Sequence, residues 1–222
     1  MKKKKDSVIS LAWPDMWTKQ TNMKYDKYSH ILGIAKDGRY KVGHAASILI
    51  NHQTGDLHYM DFGRYISSAG NGRIRDHYTD PDVLMKTKAI INSANEIENI
   101  HEILREIKEN PAAHGEGQMV AGLYTGIDFN RAFRFAKKWQ KKGMIPYGPF
   151  DQNGTNCSRF VTRLIREGKP DFWTRLLLKY PYTLSPSPKL NVRVARTQPF
   201  YYIVTEEDIK EVKPHIFKKI GL

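Results

Sequence analysis

Gly154-Thr155-Asn156-Cys157-Ser158-Arg159-Phe160 carries the single cysteine of the chain. The run before it, Asp151-Gln152-Asn153-Gly154, is turn-forming. After it, Phe160, Val161, Leu164 and Ile165 recur at helical spacing, and Gly168 is a stop signal. The spacing predicts a helix with Asn156 or Thr155 as N-cap and Cys157 in its first turn. Unpaired backbone N–H groups and the positive end of the helix dipole favour a thiolate at that place. A free cysteine is more often a small buried hydrophobe, so the nucleophile reading depends on partners elsewhere in the chain.

Working outward, His44 is the histidine with a distinguishing context. It stands in Val42-Gly43-His44-Ala45-Ala46-Ser47-Ile48, the start of a hairpin with strands at 42–51 and 57–62 around the turn His52-Gln53-Thr54-Gly55-Asp56. Strand alternation puts His44 on one face with Ala46, Ile48 and Ile50, and Ser47 on the other, which disfavours a Ser47–His44 dyad. If Ile50 faces Leu57, His44 faces Gly63; two-residue shifts bring it to Asp61 or Tyr65. All of these keep Tyr59 and Asp61 on the His44 face, and a one-residue bulge would promote His58 instead. Asp61 is thus the candidate to accept the imidazole N–H and set its tautomer. Upstream of the cysteine, Tyr147 in Ile145-Pro146-Tyr147-Gly148-Pro149 is either a hydrogen-bond donor to an oxyanion, beside the Cys157 N–H, or a packed loop aromatic.

The remaining pattern reads as α+β. Strands are predicted at 7–13, 31–35, 86–91, 117–124, 191–195 and 200–204, with a polar loop at 63–80. Ser93-Ala94-Asn95-Glu96 reads as a capping box for a helix carrying Ile97, Ile100, Ile103, Leu104 and Ile107. Asp128 is expected to cap a helix with Phe129, Ala132, Phe133, Ala136 and Trp139 inward. A short helix at 172–179 and a terminal one opened by Thr205-Glu206-Glu207-Asp208 complete it. With no repeat or low-complexity boundary, one domain over 1–222 is expected, residues 169–222 forming a peripheral extension.

At 222 residues, 40% hydrophobic and 27% charged, the chain has the composition of a globular protein rather than a disordered one. One cysteine excludes an internal disulfide and fits a reducing compartment. The basic start at 1–5 lacks a following apolar run or cleavage site, so a cytoplasmic location is expected, with an unconventional export route open. A formal net charge of +13 suits an anionic surface or substrate. No nucleic-acid-binding signature accompanies it, and nucleic acid is not expected as the main partner. Arg64, Arg73 and Arg75, around Gly70-Asn71-Gly72, and Arg159, beside the cysteine, are candidates to bind an anionic substrate group; a solvated loop is the alternative for the first three. His114-Gly115-Glu116-Gly117 reads as structure or as a second wall of the cleft. No metal-ligand spacing or phosphate loop calls for a metal or cofactor.

Tyr147-Gly148 followed by Asn156-Cys157-Ser158-Arg159-Phe160-Val161, together with Gly43-His44-Ala45, resembles the signature of NlpC/P60 thiol peptidases. The histidine hairpin precedes the cysteine helix, the reverse of the ordinary family. That order resembles its circularly permuted branch, which includes YiiX-like and lecithin retinol acyltransferase-like proteins. Gly43-His44-Ala45-Ala46, Asp61-Phe62-Gly63-Arg64-Tyr65 and His114-Gly115-Glu116-Gly117 are similar to the DUF6695 family, over about residues 7–167. The resemblance implies a papain-like core with the cysteine helix against an antiparallel sheet. It carries the nucleophile to Cys157, the base to His44, the third polar group to Asp61 and the oxyanion tyrosine to Tyr147. It implies a cysteine hydrolase or acyltransferase acting on a peptide, amide or acyl-lipid; a silent binding module of the same fold is the alternative. Two departures stand out. Arg159 replaces a small glycine, and Asn156 replaces an aspartate, which weakens the link to peptidoglycan peptides.

Overall fold

The computed structural model describes residues 6–19, 35–36, 39–41, 43–148, 153–179 and 187–214. Most of the strand predicted at 31–35, Val42, the turn residues Asp151 and Gln152, and His30 and His215 lie outside the described residues.

The chain is organised on β1 (Asp6–Trp13), β5 (His44–Ile50) and β8 (Met119–Ile127), with β1 antiparallel to both neighbours. On the β5 side follow β6 (Leu57–Gly63), β7 (Asn71–Arg75) and β9 (Ile145–Pro146). On the β8 side follow β10 (Tyr201–Val204) and β11 (Ile209–Val212). A separate small sheet holds β2 (Trp17–Lys19), β4 (Arg39–Lys41) and β3 (Ala35–Lys36), in that order.

All of β5 is buried because helices cover both faces of the sheet, which explains an apolar strand without polar alternation. Ala46, Ile48 and Ile50 pack with Ile9 and Leu11 against Ile103, Leu104 and Ile107 of α1 (Ile100–Glu109). Ala45 and Leu49 pack, with Met60 and Phe62, against α2 (Phe129–Gln140) and α3 (Cys157–Glu167). Eleven residues of α3 would make a marginal helix alone. Burying Phe160, Val161, Leu164 and Ile165 contributes roughly 1.5–3 kcal/mol for each side chain, so packing decides that the helix forms. α4 (Phe172–Lys179) and α5 (Pro188–Val194) complete the described helices, and none is long and apolar enough to cross a membrane.

Five expectations are corrected. Residues 191–195 lie mostly in α5, because Ser187 accepts a hydrogen bond from the Leu190 N–H and Pro188 sits in the first turn, a start signal that outweighs the Val192–Val194 alternation. Residues after Thr205 make a turn into strand β11, with Thr205 Oγ1 accepting from the Asp208 N–H. The Ser93–Glu96 stretch does not cap α1: Glu96 N–H donates to Asn92 instead, and the helix begins at Ile100. Residues 63–80 are not all loop, since β7 pairs with β6, placing Arg75 opposite Asp61. Residues 86–91 form no regular strand, and Ile91 makes an isolated bridge with Ile97. Asp128 caps α2 by accepting from the Arg131 N–H at 3.0 Å.

Candidate active site

The site gathers where β5 begins and α3 begins. Asn156 caps α3, its side chain accepting the Arg159 N–H at 2.9 Å. Cys157 follows, 7% exposed. Its sulfur is hydrogen-bonded to the His44 ring and to the backbone N–H groups of Ala45 and Ser158. The hairpin takes the register in which Ile50 faces Leu57 and Ala46 faces Asp61. Gly43, with φ at +68°, turns the chain into β5; a Cβ there would lie 2.8 Å from the Trp13 carbonyl oxygen. His44 then stacks on Trp13, its pair on β1, with centroids 5.8 Å apart.

His44 Nε2 lies 3.2 Å from Asp61 Oδ2, which leaves Nδ1 as the ring nitrogen for the thiol. Asp61 is fully buried and heavily bonded. Arg75 donates through Nε to Oδ1 at 3.0 Å and through Nη2 to Oδ2 at 2.7 Å. The hydroxyls of Tyr59 and Tyr65 each donate to Oδ2 at 3.0 Å. Arg75 is itself buried, with its guanidinium 3.5 Å from the Tyr65 ring centroid and Nη2 donating to the Ala112 carbonyl. A carboxylate gripped in this way stays ionised and rigid.

The electrostatics follow from that grip. Burial pushes the Asp61 carboxyl up, but the hydrogen bonds and charges of His44 and Arg75 outweigh it and hold the group well below the ordinary carboxylate range. Burial also opposes charge on His44; its bonds to Asp61 and Cys157 and their negative charges prevail, raising it to about 9. Burial raises the Cys157 thiol, yet the His44 hydrogen bond and charge and the Ala45 and Ser158 N–H groups bring it below its ordinary value. The favoured state is a thiolate beside an imidazolium.

These shifts set the pH dependence of stability. Raised His44 contributes stability that is complete below its unfolded value of 6.5 and is lost as pH rises through about 9. Depressed Cys157 contributes stability complete above its unfolded value of 9.0 and lost as pH falls. The two slopes oppose each other, because the proton is held within the pair. Stability is therefore expected to change little between pH 6.5 and 9 in the native protein and to fall over that range in Cys157→Ala, as read from urea midpoints. Asp61 adds an acid limb, its contribution complete above 3.8 and lost as pH falls below that.

Tyr147 sits on a segment bridged to Thr155, two positions before the cysteine. Its ring stacks on Phe62 at 5.6 Å, and the Arg64 guanidinium lies 5.2 Å from its centroid. His44, Tyr147, Arg64, Tyr65, Ser67 and Ser68 line one cavity of about 380 Å³. Arg73 turns elsewhere, into a two-pronged pair with Asp80 at 2.7 and 2.5 Å, while its Nε donates to the Tyr65 carbonyl. Arg159 donates to the Gly148 carbonyl at 3.1 Å, tying α3 to the loop after Tyr147. Among the described residues no cluster of three or more His, Cys, Asp or Glu side chains could hold a metal ion.

Sequence reasoning passed over the groups behind Asp61. The strand pattern puts Tyr59 on the Asp61 face but gives it no role, and Arg75, expected to bind an anionic substrate group or to face solvent, is instead buried on Asp61. The signal available was Asn71-Gly72-Arg73-Ile74-Arg75 as a third strand beside the hairpin. His114 stacks on Tyr65 at 5.1 Å, in a left-handed conformation at φ 50°. Gly115 lies against the Trp13 ring, where a Cβ would come within 2.0 Å of Nε1 and Cε2. Gly115→Ala is accordingly expected to cost about 1–3 kcal/mol and to slow alkylation of Cys157, because Trp13 cannot yield without moving His44; a urea titration and a labelling rate check both.

Comparison with known proteins agrees with this architecture. The crystal structure of the type VI secretion system effector TseH is similar, with a TM-score of 0.60 at 19% identity, covering 94% of this chain and 98% of that one. At that identity the likeness shows the fold alone, a helix-covered antiparallel sheet. No curated protein matches. The sequence profile of the type VI secretion system effector TseH-like family matches residues 8–171, and the chain belongs to that family.

Proposed function

We propose that this protein is a cysteine hydrolase or acyltransferase that cleaves an amide or ester bond through an acyl-enzyme. The observation that carries the reading is the continuous chain of hydrogen bonds from Cys157 through His44 to Asp61 and Arg75. The Cys157 thiolate attacks the carbonyl carbon, and the bond electrons move to oxygen. The Cys157 N–H, at the start of α3, and the Tyr147 hydroxyl receive that oxyanion. His44 gives its proton to the departing amine or alcohol, leaving a thioester on Cys157. Neutral His44 then takes a proton from water, or from an acceptor amine, and the thioester is resolved. Arg64 and Arg159 flank Tyr147 and its loop, which suits a substrate with an anionic group, while Arg73 serves from behind through Tyr65. Candidate substrates are small peptides, amides and acyl-lipids.

The order of elements, with the His44 hairpin ahead of the cysteine helix, supports the circularly permuted NlpC/P60 reading and the likeness to YiiX-like and DUF6695 proteins. On this reading the chain acts as one domain and is made in the cytoplasm; the family description, a type VI secretion system effector, supports its delivery by such a system. Incubation with activated esters and with a peptide panel, followed by mass spectrometry, is expected to show an acyl adduct on Cys157 that decays in the native protein and accumulates in His44→Ala. Absence of any adduct, with the fold intact, would count against the reading. It would favour the second one, a silent binding module, to which one observation lends support: the cavity wall includes His44 but stops short of the buried Cys157.

A further inference from the structure

α4 carries an apolar face that the site does not use. At about 100° per residue, Phe172, Leu176, Trp173 and Leu177 fall in one arc of roughly 140°. Phe172 and Trp173 are each 69% exposed and Leu177 is 49% exposed, while Thr174 and Leu178 on the opposite arc are buried against the protein. Large aromatic side chains this exposed are uncommon on a soluble surface. The Phe172 and Trp173 rings meet edge to face at 5.3 Å, forming one contiguous patch. Arg175 and Lys179 lie exposed along one border of the arc, and Lys169 lies just before the helix.

The patch is firmly mounted. Asp171 accepts the N–H groups of Trp173 and Thr174 at 2.9 and 3.0 Å, capping the helix. The same carboxylate accepts the Tyr124 hydroxyl at 2.7 Å, and Tyr124 accepts the Asp171 N–H at 2.8 Å, tying the helix start to β8. Asp171 is exposed but its carboxylate is engaged by these bonds, and Glu167 is a second exposed carboxylate, one turn earlier in the chain.

We propose that this face of α4 docks the protein on an anionic lipid surface, with Phe172, Trp173 and Leu177 entering the headgroup boundary and Arg175 and Lys179 on the headgroups. Trp and Phe suit that boundary, and long basic side chains extend from an apolar border to polar headgroups. Charge complementarity selects a membrane over a protein partner. The chain carries a formal net charge of +13, and the border of the patch is cationic. Apolar area and basic charge together are what interfacial helices use to bind acidic bilayers.

Co-sedimentation of the full chain tests this, with vesicles of phosphatidylcholine alone and of phosphatidylcholine mixed with phosphatidylglycerol. The protein is expected to pellet with the anionic vesicles at low salt, to be largely released at high salt, and to ignore the neutral ones. Combining Phe172→Ser, Trp173→Ser and Leu177→Ser is expected to lower binding about tenfold or more. Arg175→Glu with Lys179→Glu, which keeps the apolar face, is expected to weaken binding to the anionic vesicles as well. Three results would overturn the proposal: no binding of the native chain to anionic vesicles, equal binding by the triple serine variant, or a native dimer in gel filtration that this variant abolishes, which would assign the face to a second copy. Cys157→Ala is expected to bind like the native protein, so the outcome is independent of the chemistry proposed at the cysteine.

Discussion

Asp61→Ala is expected to cost about 3–5 kcal/mol of folding stability and to remove the reactivity of Cys157 at neutral pH. The cost comes from what is left behind. The buried Arg75 guanidinium loses both of its bonds to a carboxylate, and two tyrosine hydroxyls and the His44 ring lose their acceptor. An unpaired buried charge costs far more than the pair contributed. The companion variant Asp61→Leu with Arg75→Met removes both charges. It is expected to recover part of the stability, with a coupling of roughly 0.5–3 kcal/mol in the double-mutant cycle, and none of the reactivity. That split separates the structural work of the cluster from its effect on His44. Urea midpoints and alkylation rates on the native protein, Asp61→Leu, Arg75→Met and the double variant, with Asp61→Ala alongside, check it. A loss under about 1 kcal/mol in Asp61→Ala, the range of an exposed ion pair, with labelling unchanged, would contradict the arrangement.

His44→Ala is expected to act on the thiol itself. Without the imidazolium, burial is the influence that remains strongest on Cys157, and burial favours the neutral thiol. An ordinary thiol holds only about 0.3% thiolate at pH 6. The thiolate held by His44 is somewhat less nucleophilic for its lowered pKa, so alkylation at pH 6 should drop by about ten- to a hundredfold rather than by the full change in ionisation. Turnover of an ester or amide substrate should fall further, by about 10²–10⁴-fold, because His44 also delivers the proton to the leaving group. Cys157→Ser should abolish turnover while leaving the urea midpoint within about 1 kcal/mol of native.

Much of this is legible in the amino-acid sequence alone. The helix at Cys157 announces itself through the Asn156 cap and the spacing of Phe160, Val161, Leu164 and Ile165. The hairpin is written in two apolar runs around His52-Gln53-Thr54-Gly55-Asp56. The runs leave three registers that share one face, and the protein adopts the one pairing Ile50 with Leu57. What the sequence hides is non-local. β7 has one apolar residue, Ile74, between two arginines, and it becomes a strand because β6 offers it a hydrogen-bonding edge and Asp61 offers Arg75 a buried partner. α5 reads as a strand by its valines until Ser187 and Pro188 are seen as a helix start. Gly115 looks like a loop glycine, and its reason lies about a hundred positions away, in the ring of Trp13. The turn after Thr205 ends as a strand because β10 is an edge awaiting a partner.

The rate of Cys157 alkylation by iodoacetamide as a function of pH tests the central claim most directly, since the single cysteine makes the signal unambiguous. A thiolate paired with a His44 raised to about 9 should label at a nearly constant rate from pH 8 down to well below the range of an ordinary thiol, with the rate changing again as His44 loses its proton near 9. The low-pH plateau should vanish in His44→Ala and shrink in Asp61→Asn. A native protein whose labelling rises tenfold per pH unit up to about 8.5, as a free thiol does, and whose profile is unchanged by His44→Ala, would contradict it.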